Sequence, residues 1–185
     1  MSNRVAMNVN VIAQRKANTP PDNISYHLED DDGCLLETLV FSKDKLGMKK
    51  SDEHEVTFTL VQEEGMNLQF ATPPDRAMWV NRGTAQNIPS CPTAQPPKNN
   101  TVFHATSSQG LTLVATNKNP QKCYYKFSLN FVDPTGQDPD YLYRFDPVGD
   151  NQNGGIGKNY ASLVGVALAI GVLGVAYVAY TELFR

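Results

Sequence analysis

His54-Glu55 opens the pattern His-Glu-x-x-His, in which two imidazoles one helical turn apart hold zinc and the glutamate activates its water. The second histidine position is occupied by Phe58, and the stretch from His54 to Leu60 alternates polar and apolar residues as a strand does. On a strand, side chains four apart lie about 13 Å from one another and cannot close on one ion. His27 and His104 fall on other expected strands and read as solvent-facing or hydrogen-bonded histidines. A blue-copper site requires two histidines, a cysteine and a weak axial methionine, several of them in one loop. After Cys123 the chain holds neither histidine nor methionine, so a fold of that kind would be without its metal.

Other patterns fail in the same way. Gly154-Gly155-Ile156-Gly157-Lys158 has the glycines and lysine of a phosphate loop, but Gln152 and Asn159 stand where that loop needs Gly and Ser or Thr. The acidic stretches Glu29–Asp32 and Asp146–Asn153 lack calcium-loop spacing and read as solvated turns. No Gly-x-Ser-x-Gly elbow occurs. The expectation is a non-enzyme, with no catalytic residue, no metal ligand set and no cofactor. Three cysteines, Cys34, Cys91 and Cys123, contain no Cys-x-x-Cys pair. Cys91 and Cys123 could bridge two strands in an oxidising compartment, whereas a reducing one would leave all three as thiols.

The elements that would carry any site are β-strands. Alternation is clearest at Val56, Phe58 and Leu60, followed by Glu63-Glu64-Gly65 and then Met66, Leu68 and Phe70, a hairpin signal. Further alternating segments are Val5–Val11, Ile24–Leu28, Leu35–Phe41, Met78–Val80, Val102–Ala105, Leu111–Ala115, Tyr124–Val132 and Leu142–Phe145. Nine or ten short strands punctuated by Pro and Gly, with no soluble amphipathic helix, predict a mainly β fold. The expected form is an antiparallel β-sandwich, immunoglobulin-like or cupredoxin-like without metal, over 1–145. Lys43–Ser51 reads as a loop or single turn. Residues 83–100, with four prolines, form a long loop that either binds a partner or is pinned by packing. Tyr125, Phe127, Leu129 and Phe131 share one face, the core face. Trp79, Tyr124, Tyr141 and Tyr143 are candidates for a docking surface.

The charges are distributed unevenly. The whole chain has 16 Lys and Arg against 19 Asp and Glu, a net of −3, which excludes a basic nucleic-acid footprint. Its mean hydropathy of −0.38 is that of a soluble protein. Yet from Asn159 to Thr181 there are 23 consecutive residues without a charge. The core of that run, Tyr160 to Tyr180, would make a helix of about 31 Å, matching a bilayer's hydrocarbon thickness. The sequence therefore predicts a linker over 146–158, a transmembrane helix over 159–181 and a short tail over 182–185. Lys158, Tyr160, Tyr177, Tyr180 and Arg185 would sit at the membrane interfaces. Gly165 with Ala169, and Ala167 with Gly171 and Gly174, form small-residue faces suited to packing against another helix.

Residues 1–13 show no apolar leader, so the expected layout is a C-terminal anchor with the β-domain in the cytoplasm. The expected partners are integral-membrane subunits and the lipid bilayer, with no nucleic acid. The function expected from these features is that of a non-catalytic, single-span accessory subunit of a multi-subunit membrane complex, a layout found in respiratory and photosynthetic complexes. The alternative is a free-standing membrane-anchored binding or carrier domain for a small molecule or peptide.

Overall fold

A computed structural model describes residues 3–16, 24–43, 49, 52–84, 87–94, 102–118 and 122–152. The expected membrane helix, with its packing and interfacial residues, lies outside this set. Among the described residues no helix is long and apolar enough to cross a membrane.

The described chain is mainly β. Its strands are β1 (Arg4–Arg15), β2 (Ile24–Glu29), β3 (Leu39–Ser42), β4 (Glu53–Gln62), β5 (Gln69–Phe70), β6 (Met78–Arg82), β7 (Phe103–Gln109), β8 (Thr112–Asn117), β9 (Cys123–Val132), β10 (Tyr143–Phe145) and β11 (Val148–Gln152). One helical turn, α1 (Pro74–Ala77), precedes β6; at four residues it is too short to show a periodic pattern in the sequence. The first sheet has the order β2-β1-β4-β8-β7. The second has the order β10-β9-β11-β3, with β5 and β6 also pairing with β9.

Both sheets are mixed, which corrects the expectation of an antiparallel fold. β1 runs parallel to β4 through ten register pairs, Arg4↔Glu53 to Ala13↔Gln62. β11 runs parallel to β3 from Gly149↔Leu39 to Gln152↔Ser42. Alternation tells which face of a strand is buried and carries no information on the direction of its neighbour. β11 also extends the β-body to Gln152, into the stretch expected as linker. Its inward residues are Gly149 and Asn151, which no hydrophobic pattern would mark. The α-carbon of Gly149 faces Phe41, Phe127 and Tyr125; a Cβ there would lie 3.5–3.6 Å from their atoms, in ordinary van der Waals contact.

The alternating segments turn one face inward, although Leu35 and Leu111, at the starts of two of them, lie outside the strands and are exposed. Val9, Val11, Ala13, Val56, Phe58, Leu60, Leu113 and Ala115 turn inward from the first sheet, and Tyr125, Phe127, Leu129 and Phe131 from the second. Each large aliphatic or aromatic side chain so buried contributes about 1.5–3 kcal/mol. Ring contacts join the two sheets along their length: Tyr26 stacks on Phe131 at 5.3 Å, Phe58 meets Phe127 at 6.0 Å, and Phe103 meets Phe127 at 5.4 Å.

Gly110 turns the chain from β7 to β8 with φ of +55°, and nothing surrounds the position a Cβ would take. Gly110→Ala is therefore expected to cost about 1 kcal/mol through backbone conformation alone. Urea denaturation checks this against Gly136→Ala, where φ is ordinary and the expected change is below about 0.5 kcal/mol.

Candidate functional site

Strand register brings a set of polar residues into one layer at one end of the interior. In the first sheet His54 of β4 stands opposite Asn117 of β8, and Asn117 opposite Phe103 of β7. In the second, Asn151 of β11 stands between Phe41 of β3 and Cys123 of β9. The two rows face each other. Asn117 Nδ2 donates to Asn151 Oδ1 at 2.8 Å across the gap between sheets. Asn151 Nδ2 donates to Tyr125 Oη at 3.0 Å and approaches Cys123 Sγ at 3.6 Å. His54, Asn117, Asn151 and Tyr125 are fully buried, and Cys123 is 1% exposed.

The electrostatics follow from this seclusion. The Tyr125 phenol is pushed well above its ordinary value, by burial first and then by Cys123 beside it, so it stays neutral. The His54 imidazole is pushed down to about 4, by burial first and then by the charge of Lys43. The ring stands edge-on to Phe41 at 5.3 Å, and neither of its nitrogens has a partner in hydrogen-bond geometry. Two charged residues lie at the rim. Lys43 follows β3 and is 3% exposed. Asp52 precedes β4, and its carboxylate accepts from the backbone N–H of Lys49 at 2.8 Å and of Asn3 at 3.2 Å, which holds it below the usual carboxylate range. A neutral imidazole, two amides, a phenol and a thiol in a water-excluding layer can accept, donate and order; the layer binds the two sheets in one register.

The other histidines lie elsewhere. His27 on β2 contacts Glu29 Oε1 at 2.9 Å, and His104 on β7 stands opposite Thr116. Among the described residues, no group of three or more His, Cys, Asp or Glu side chains is placed to hold a metal ion. The acidic turn at Asp30 is closed by its own backbone: Asp30 Oδ1 accepts from the N–H groups of Asp32 and Cys34 at 3.0 and 2.8 Å.

The docking candidates are separated by the outer face of the second sheet. Met78 and Val80 point into the core, so Trp79 points out, yet it is only 9% exposed. Two segments are held against this face. The described part of the proline-rich loop returns over β6, β9 and β10, where Asn81 Nδ2 donates to the Ser90 carbonyl at 3.0 Å and Arg144 Nη1 to that of Thr93 at 3.4 Å. Below it, Asn130 Nδ2 holds the α1 turn through the Arg76 carbonyl at 2.7 Å. This part of the loop is thus pinned by packing, with Pro92 buried. Gly83 starts the return, because any Cβ there would collide with the Asn87 carbonyl and Pro89.

Tyr141 and Tyr143 remain together, edge to face at 4.9 Å; Tyr141 is 54% exposed and Tyr143 is half-buried. Tyr124 is half-buried on β9. Among the cysteines, Cys91 lies on the outer loop near Asp146 and Lys126, where burial first and Asp146 second raise its thiol, while Cys123 faces the interior. With a sheet between them they do not pair, and all three thiols are free.

The polar layer escaped sequence reasoning because its members lie on four strands. The available signal was Asn117 and Cys123 at inward positions of otherwise apolar alternation; Asn151, in a stretch of Gly, Asp and Asn, carried none. No known protein-family model matches the chain, and no curated protein sequence matches it.

Proposed function

We propose that the protein is a non-catalytic, single-span accessory subunit of a multi-subunit membrane complex. In this reading the apolar segment packs among membrane helices and the β-body docks on the surface of the complex. The observation that carries the proposal is the uncharged run of 23 residues, 159–181, which begins seven positions after the end of β11. A segment of that length and composition suits a bilayer core, and its two small-residue faces suit close helix contact.

The β-body supplies features a docking module needs. Its core is held by interlocked rings, and Tyr141 at 54% and Ile88 at 55% exposure present apolar surface outside it. Three free thiols favour a reducing compartment, in agreement with the β-body on the cytoplasmic side. The two sheets sharing one core constitute a sandwich in this reading. Its parallel pairings separate it from the antiparallel immunoglobulin arrangement and favour the cupredoxin-like alternative without metal.

Gentle detergent solubilisation followed by affinity capture of the full chain tests the proposal. Integral-membrane proteins are expected to accompany it in stoichiometric amount, and a monodisperse monomer would defeat the reading in favour of a free-standing carrier. Gly171→Leu, which enlarges one small-residue face while keeping the segment apolar, is expected to lower the recovered partners about tenfold or more. Carbonate extraction should leave the same variant in the membrane fraction. Full partner recovery with that variant would remove the helix-packing part of the proposal.

A further inference from the structure

We propose that the lysine-bearing end of the β-body, where β3 leads into β4 and β8 into β9, seats on an anionic lipid surface. This inference rests on the membrane reading above and adds to it which end of the β-body meets the headgroups, and by what chemistry.

Strand direction sorts the connections between strands to two opposite ends. One end is marked by the pairs His54↔Asn117 and Asn151↔Cys123, the other by Ala13↔Gln62 and Phe70↔Phe131. At the first end, the connection from β3 to β4 spans 43–52 and that from β8 to β9 spans 118–122. Together they carry six lysines, Lys43, Lys45, Lys49, Lys50, Lys118 and Lys122, against Asp44 and Asp52, a net of +4. The connection from β6 to β7, which enters here as well, adds Lys98 and no acid. At the other end the connections after β1, β4, β5 and β9 hold seven acids against two bases, a net of −5. The acidic turn at Asp30–Asp32 belongs to neither end, lying beside Asn8 and Asn10 of β1.

The lysines of the first end are presented outward. Lys118 and Lys122 are exposed, and the ion pairs among the described residues, Arg4–Glu55, His27–Glu29 and Arg76–Asp140, involve neither. Lys49 is exposed beside Asp52, which is itself only 5% exposed and accepts from the backbone N–H groups of Asn3 and Lys49. Ammonium groups are compact point charges that need no fixed fork, which suits a plane of phosphates free to move sideways. Each lysine near an anionic membrane strengthens association about fivefold, and the same field repels the acidic end. A lipid surface is the occupant because β11 runs towards this end. It finishes at Gln152 beside Ser42 of β3, and Lys158 and the uncharged run 159–181 follow in the sequence.

The test places the full chain, one copy to a disc, in nanodiscs of phosphatidylcholine alone or of seven parts phosphatidylcholine to three of phosphatidylglycerol. Lysines are acetylated with a water-soluble ester, and mass spectrometry compares Lys118 and Lys122 with Lys16 at the opposite end. Modification of Lys118 and Lys122 relative to Lys16 is expected to be at least about fivefold lower in the anionic discs than in the neutral ones. Half-molar sodium chloride should shrink that difference to less than about twofold. Lys118→Glu with Lys122→Glu should likewise reduce the protection of Lys49 to less than about twofold. Equal labelling in the two lipids, with the chain retained in both kinds of disc, overturns the proposal and leaves the membrane reading standing. A chain that does not stay with neutral discs removes the membrane reading and this proposal with it. Protection equal in both lipids and rising with protein concentration identifies a second copy of the chain on this end, and also overturns the proposal.

Discussion

Phe127→Ala is expected to lower the unfolding free energy by about 3–5 kcal/mol, the range for truncating a fully buried phenylalanine. Phe127 sits on β9, the strand to which four others of the second sheet are paired, and it has no exposure. Its ring touches those of Phe58 and Phe103, both from the opposite sheet, at centroid distances of 6.0 and 5.4 Å. Removing it deletes apolar contact on both sides of the interface and leaves a cavity between strands that pairing holds in place. Gly149 lies alongside, its missing Cβ 3.6 Å from the Phe127 ring, so no side chain at that position of β11 can move in to fill the space. Tyr141→Ala, which removes an aromatic ring that is 54% exposed, is the comparison. A change of about 1 kcal/mol or less is expected there. Urea denaturation with a common slope measures both. Equal losses for the two variants would show that ring burial between the sheets is not what holds this domain.

A second large loss is expected from Asn151→Ala, about 2–4 kcal/mol, although the side chain is polar and the alanine removes an apparent defect in the core. The reason is what remains. Asn117 would keep a buried amide whose donor at 2.8 Å has lost its acceptor, and Tyr125 Oη would lose its donor at 3.0 Å. Each polar group stranded without water costs about 1–3 kcal/mol. Because the partners share one network, the losses cannot add. Asn117→Ala with Asn151→Ala is expected to be less damaging than the two single effects together by at least about 1 kcal/mol. Strict additivity in the denaturation measurements would mean that the two amides contribute separately and that the layer is no network.

These two sites differ in how far the sequence announces them. Phe127 stands in a run of ten strand residues where Tyr125, Phe127, Leu129 and Phe131 alternate, and that alternation alone gives its inward direction. Asn151 follows Gly149 in a stretch rich in Asp, Asn and Gly, where composition suggests a linker. Only pairing with β3 and β9 turns that stretch into a strand and its asparagine inward. Trp79 shows the converse: alternation places it on the outer face, yet it is only 9% exposed there.

The features legible in the amino-acid order are local ones. Side-chain period marks the core faces of β1, β4, β8 and β9, a Gly at positive φ allows each of the turns at 33, 65 and 110, and the absence of charge marks 159–181 as a segment apart. Each of these depends on residues within a few positions of one another. The parallel neighbours of β1 and β3, the recruitment of β11, and the meeting of His54, Asn117, Asn151 and Cys123 in one layer arise only when the sheets assemble. Those outcomes depend on which strands pair and in what register, over separations of up to 110 residues, between Phe41 and Asn151. Such choices are settled by the free energy of closing the whole interior, to which no short stretch of sequence corresponds.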